Sequence, residues 1–312
     1  MSCLHIKHLT VTFETLMGTV VAVDDVSFDH ESKETLALVG ETGCGKSVIA
    51  SSILKLLPDN ANLSGEILYG DKDLLRLSER ELADIRGQEI SIIFQNPTLA
   101  LNPVYRIGDQ ISELFRVHKR ASSKKSKAYA TSLLGRMGFK DPEHAFHMYP
   151  SQFSEGMNQR VLIALALALH PKIIIADEPT KGLDDQLKEE ILKELMKIKE
   201  EKESSLFLIT HDFDAARNIA DRVALMYCGQ IVEIALSPDF FDEPFHPYAR
   251  GLLKSLPSHD FAPIPGASPS MISPPEGCRF HPRCAERLEV CSHEMPEPIK
   301  KSGRIIRCFL YR

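Results

Sequence analysis

The chain has 312 residues, 43% of them hydrophobic and 26% charged, with a formal net charge of −6. This is length for one large domain with an appendage, or for two domains, with ample apolar material for a core. The acidic balance gives no support to a nucleic-acid surface, and no apolar run approaches the roughly 20 residues that span a bilayer. Residues 1–10 alternate polar and apolar without a signal-peptide pattern, so a cytosolic chain is expected, and its seven cysteines need an explanation other than disulfides.

Alternation over Leu4 to Phe13 and Val20 to Phe28 predicts half-buried antiparallel strands, followed by a continuous apolar strand over Thr35 to Val39. That strand runs into Gly40-Glu41-Thr42-Gly43-Cys44-Gly45-Lys46-Ser47, a full Gly-x-x-x-x-Gly-Lys-Ser loop, and a helix starts near Lys46. The glycines let successive N–H groups turn towards phosphate oxygens. Lys46 adds a point charge, Ser47 offers a hydroxyl to Mg²⁺, and the helix dipole points at the same anion. A nucleotide triphosphate is the expected ligand. Cys44 lies inside the loop, where alkylation would obstruct that ligand.

The helix after Lys46 is expected to stop before Pro58. Ser91 to Phe94 predicts a buried strand, and Asn96-Pro97 and Asn102-Pro103 are expected to break regular structure. From Ile107 to Phe146 the pattern is helical and polar, the signature of an inserted helical subdomain, with Lys119 to Lys127 read as a solvated connection. A helix through Arg160 to Leu169, a strand over Ile173 to Ala176, a helix over Leu187 to Glu201 and a strand over Leu206 to Ile209 restore the alternation of a doubly wound parallel core.

The strand ending in Ala176-Asp177-Glu178 supplies two carboxylates. Asp177 can hold Mg²⁺ and Glu178 can orient or deprotonate a water. Alone such a pair is often a solvated strand exit, but with the loop at Gly40 it is what a Mg-triphosphate site requires.

Past Pro257, prolines crowd the tail and a separate loop-rich module is expected. Cys278, Cys284, Cys291 and Cys308 put four of the seven cysteines there. Four thiolates suit an iron–sulfur cluster or zinc. No Cys-x-x-Cys pair is present, and the wide spacing favours a [4Fe–4S] cluster, with zinc and unligated thiols as open alternatives. Arg279, Arg283 and Arg287 are placed to offset the charge of such a cluster. Cys3 and Cys228 read as packing residues.

The segment Tyr149 to Arg160, with Ser154-Glu155-Gly156 in place of a Ser-Gly-Gly core, resembles the signature of the ABC-transporter ATPases. The resemblance extends in order to Gln95 as the Q-loop, Gly182-Leu183-Asp184 as the D-loop, His211 as the switch histidine and Phe13 as the aromatic on adenine. His246-Pro247-Tyr248, Ile264-Pro265-Gly266 and Gly277 to Cys284 resemble the oligopeptide and dipeptide importer subfamily, members of which are reported to carry a cluster.

The resemblance implies a RecA-like P-loop core with an antiparallel β subdomain. It also implies an ATPase domain over 1–257, with its helical subdomain at about 97–160, and a cysteine module over 258–312. It implies binding of ATP by Phe13, by residues 40–47 and, across a dimer, by Ser154, Gly156 and Asp184. Lys46, Gln95, Glu178 and His211 would be catalytic, and Ser47, Gln95 and Asp177 would hold Mg²⁺. The implied partners are a second ATPase subunit, membrane permease subunits and, indirectly, an extracytoplasmic solute-binding protein, with no nucleic acid. The chain would sit on the cytoplasmic face of the membrane and drive peptide import. Nickel or another small solute is the alternative cargo, and a non-transport ABC ATPase the alternative class. Glu155, Phe153 and Met157 depart from the family's signature, and this leans towards a paralogue as the ATPase partner rather than a second copy.

Overall fold

The computed structural model describes residues 2–183, 185–202, 204–256 and 262–312. Two compact units divide it: residues up to Leu77 together with Leu208–Arg312, and Ser78–Phe207.

The first unit opens with β1 (Ser2–Thr15) and β2 (Gly18–Glu31), an antiparallel hairpin closed where Thr15 meets Gly18. Each strand carries a bulge, and at these bulges His8 and Asp25 both take φ of +50° and face each other, Nδ1 to Oδ1, at 2.7 Å. β3 (Thr35–Val39) is buried at all five positions, as a strand covered on both faces must be. It leads through the glycine loop into α1 (Lys46–Ile53). β4 (Ala61–Tyr69) pairs with the free edge of β1, and β5 (Lys72–Asp73) pairs with β4.

The second unit begins with α2 (Glu79–Ile85), where Ser78 and Glu81 form a reciprocal capping box. β6 (Ile90–Ile93) is followed by α3 (Pro97–Ala100). Asn96-Pro97 was expected to break regular structure. Instead Asn96 Oδ1 accepts from the N–H groups of Thr98 and Leu99 and caps that short helical turn. α4 (Ile107–Lys119) and α5 (Ser123–Arg136) are separated only by 120–122. The expected long connection over Lys119 to Lys127 is therefore corrected: Ser122 caps α5, and Ser126 is fully buried with its hydroxyl on the Ser122 carbonyl at 3.1 Å. The lysines line the outside of a helix. α6 (Pro142–His147) and α7 (Glu155–Leu167) complete the helical part. β7 (Ile173–Asp177) pairs in parallel with β6, and α8 (Asp185–Lys202) follows. β8 (Ser205–Thr210) runs across the boundary between the units.

Back in the first unit come α9 (Phe213–Ile219), β9 (Arg222–Tyr227), β10 (Gln230–Leu236), α10 (Ser237–Asp242) and α11 (Pro247–Lys254). β9 lies parallel to β3 and antiparallel to β10. The tail is not all loop. β11 (Ile299–Lys301) and β12 (Arg304–Ile306) form a hairpin that adds to the edge of β10. Beneath the glycine loop sits an aromatic cluster: Tyr227 and Tyr248 rings are 4.6 Å apart, and Phe280 stands 5.2 Å from each.

Candidate functional site

The loop from Gly40 to Ser47 has the backbone that its sequence demands. A Cβ on Gly45 (φ +110°) would lie 2.1 Å from the Ala22 carbonyl oxygen, and one on Gly40 would lie 2.3 Å from that of Met226. Neither position can hold a side chain. Gly45 caps α1 with no side-chain acceptor and no acidic residue in the first turn, so nothing there opposes the attraction of the helix N-terminus for an anion. Thr42, Gly43 and Ser47 are exposed, while Lys46 is buried with Nζ donating to the carbonyls of Gly40 (2.8 Å) and Glu41 (3.0 Å). The loop thus holds its ammonium in place.

Other residues hold the loop. The Tyr248 hydroxyl oxygen accepts from the Glu41 N–H at 3.2 Å, and the Gly229 N–H donates to the Cys44 carbonyl at 2.9 Å. The Glu41 carboxylate accepts from the Ser268 hydroxyl and pairs with Arg283 Nη1 at 3.1 Å. Tyr248 belongs to the His-Pro-Tyr segment, whose letters show no chemistry. Locally that segment is a helix start, with His246 Nδ1 accepting from the Tyr248 N–H at 3.1 Å. Burial pushes the Cys44 thiol up to about 11 against the opposing charge of Lys46, so this cysteine is shielded and protonated at neutral pH. In the same unit Phe13 is half-buried on β1, and His211 is exposed just beyond the end of β8.

In the second unit, parallel pairing of Ile93 with Ala176 brings the ends of β6 and β7 together. Half-buried Gln95 and buried Asp177 and Glu178 leave those ends. Glu178 takes φ of +50°, a left-handed conformation for a residue with a side chain, and its carbonyl accepts from the Lys181 N–H at 3.1 Å. Strain of this kind persists where the surrounding structure enforces a direction on the side chain. Ser154 caps α7, its hydroxyl accepting from the Met157 N–H at 3.3 Å, so the helix expected from Arg160 begins at Glu155. A Cβ on Gly156 would fall 2.3 Å from Leu187 Cδ2, so α7 packs closely against α8 here. The Glu155 carboxylate lies beside Gly182, with Oε1 3.3 Å from where a Gly182 Cβ would be. Asp184, the remaining D-loop residue, lies outside the described residues.

In the tail, Cys278, Cys284, Cys291 and Cys308 line one small pocket with His246, Phe280 and His281. The Cys278 N–H donates to the Cys291 carbonyl at 2.9 Å. Burial raises the thiols of Cys278 and Cys308 to about 11, and that of Cys284 also upwards. Among the described residues no three His, Cys, Asp or Glu side chains are grouped to hold a single metal ion. Arg279 and Arg283 do not serve these thiols, contrary to the expectation that they offset a cluster's charge. Arg279 donates to the Cys228 carbonyl and pairs with Asp24 at 2.5 Å, and Arg283 reaches Glu41. Arg250, which pairs with Glu286 at 2.9 Å, is the cation that acts on Cys284.

A family model described as ABC transporter matches residues 23–181, spanning the glycine loop, the Ser154 turn and the Asp177-Glu178 strand end. The chain belongs to the ABC transporter family. A second model, described as the C-terminal region of oligopeptide/dipeptide transporters, matches residues 232–291. The dipeptide transport ATP-binding protein DppD of Bacillus subtilis is 45% identical, over 98% of this chain and 94% of that relative. The oligopeptide transport ATP-binding protein AppD of the same organism is 42% identical over 99% and 96%, and the OppD protein of Escherichia coli 39% over 98% and 92%. Among solved structures, a dimeric post-hydrolysis state of the ATP-binding cassette MJ0796 with ADP and Pi superposes with a TM-score of 0.68 at 27% identity. It covers 75% of this chain and 98% of that one. This ABC chain is therefore an ATPase with the P-loop fold. No helix among its described residues is long and apolar enough to cross a membrane.

Proposed function

We propose that this ATPase drives a membrane importer of peptides. The observation that carries the reading is likeness along nearly the whole chain to ATP-binding proteins of dipeptide and oligopeptide transport, including the C-terminal region. In this reading the protein works from the cytoplasmic face on separate permease subunits, like the transport ATP-binding proteins it resembles. A solute-binding protein on the other side delivers the cargo to them. Exposed Leu99, Val104 and Tyr105, which follow Gln95, are the surface offered to the permease.

ATP enters with its adenine on Phe13 and its phosphates on residues 40–47. Mg²⁺ would be held by Ser47, Gln95 and Asp177, and would supply positive charge to offset that of the phosphates. Lys46 contributes a fixed cation, Glu178 orients and deprotonates the attacking water, and His211 hydrogen-bonds the γ-phosphate. Ser154 and Gly156 serve the nucleotide of a second ATPase subunit, a role that the family resemblance also gives to Asp184. Closure of the pair is favoured only while triphosphate is bound, because the contacts to the γ-phosphate exist only in that state.

The four tail thiols hold a [4Fe–4S] cluster in a structural or regulatory role. Support for this comes from the four thiols lining one pocket, and from their burial, which demands a positive group before thiolates can form.

The test of function is transport. Membranes carrying the ATPase with its copurifying partners should hydrolyse ATP faster when a peptide-loaded binding protein is added, and a Lys46→Ala subunit should abolish both hydrolysis and peptide uptake. Stimulation by a metal-loaded binding protein, and not by a peptide-loaded one, would replace peptide with metal as the cargo.

A further inference from the structure

The glycine loop is fixed from a place no phosphate-loop motif includes. Arg283, whose side chain is only 8% exposed, sits in the turn between Cys278 and Cys284. Its Nε donates to the Pro265 carbonyl at 3.1 Å, which sets the plane of the guanidinium. Nη1 then lies 3.1 Å from both carboxylate oxygens of Glu41, 3.3 Å from the Ser268 hydroxyl and 3.4 Å from that of Tyr227. Glu41 is the second residue of the loop, and its own carbonyl accepts from Lys46 Nζ. One residue therefore joins the catalytic cation, through a backbone carbonyl, to a carboxylate held by the tail.

We propose that Arg283 is a positioning residue for ATP, acting through Glu41. It holds the loop backbone that carries Lys46, and it neutralises an anion that otherwise stands at the mouth of a phosphate site. The second role follows from charge alone: an unpaired carboxylate within a few ångströms of a triphosphate repels it. Lys cannot substitute fully, because a single ammonium cannot bond the Pro265 carbonyl and both Glu41 oxygens in the planar array that Arg supplies.

The inference rests on the phosphate-site reading, so the test separates the two. Equilibrium binding of a fluorescent ATP analogue with Mg²⁺ is measured on the full chain, with Tm recorded for each variant. Arg283→Gln should weaken binding about fivefold. The double variant E41Q/R283Q, which removes the stranded anion, should recover at least half of that loss. In the assembled transporter Arg283→Gln should raise KM for ATP and leave kcat within about twofold of the wild-type value. Unchanged binding by Arg283→Gln would overturn the inference, as would a double variant no better than the single one, since a purely structural role gains nothing from Glu41→Gln. If Arg283→Gln does not fold, Arg283→Lys decides: about a twofold loss of binding at unchanged Tm is expected, and no loss overturns the inference. Wild-type affinity in Lys46→Ala marks failure of the phosphate-site reading itself, and the inference falls with it.

Discussion

Gln95 and Glu178 leave the same end of two neighbouring strands. Ile93 pairs in parallel with Ala176, and each of the two residues follows its own strand's member of that pair by two positions. Glu178 is buried and holds a left-handed backbone at φ +50°, a conformation that persists only where the surrounding structure over-determines it. Removing only the charge should separate binding from chemistry. Glu178→Gln is expected to cut steady-state hydrolysis by about 100-fold or more while ATP stays bound. Phosphate release and nucleotide retention on the assembled transporter check this, and undiminished hydrolysis would remove Glu178 as the base.

Glu155 is the conspicuous departure in the signature, and its position limits the harm it does. The carboxylate lies beside Gly182 of its own chain, at the start of α7 where the helix dipole favours an anion. Glu155→Gly should leave the ATPase rate of the assembled complex unchanged or raise it, because a negative charge is removed from the face we propose meets the partner's nucleotide. The variant loses about 1 kcal/mol or less of helix stability. A large fall in rate at unchanged Tm would give Glu155 a positive role.

The tail thiols yield to a metal assay. Full-length protein purified without oxygen should carry about four iron and four sulfide per chain, and Cys308→Ala should lose both and lower Tm. About one zinc per chain without sulfide would reverse the assignment.

How much of this was legible beforehand depends on the range of the contacts involved. The glycine loop could be read directly because its backbone is dictated by its own residues, and β3 because five buried apolar residues in a row leave little choice. The caps at Asn96 and Ser122 were hidden. Pro97 beside the first suggested a break, and the lysines after the second suggested solvated chain, although each is an ordinary helix start. β10 was masked by Gln230 and Glu233, polar letters inside a strand. Both are buried, and Glu233 is satisfied by the N–H groups of Phe245 and His246. Nothing local shows that Arg283 meets Glu41, because 242 positions separate them. The expectation that Arg283 serves its neighbouring cysteine was wrong because sequence proximity says nothing about which way a side chain turns.

Cys44 offers a probe of the loop that does not depend on turnover. Its thiol is buried with Sγ 4.0 Å from Lys46 Nζ, and burial lifts its pKa from 9.0 to about 11. At pH 7 the thiolate that an alkylating reagent needs is then about 100-fold scarcer than for an ordinary cysteine. Labelling of the Cys44 peptide by iodoacetamide, read by mass spectrometry, should be slow at pH 7 and accelerate as pH rises towards 11. The sign follows from linkage: the unfolded chain releases this proton first, so the thiol weakens the fold between those two values. MgATP should slow labelling further, because the nucleotide fills the open side of the loop. Rapid labelling at pH 7 that ATP does not affect would mean that the loop is open and that Lys46 is not held as described.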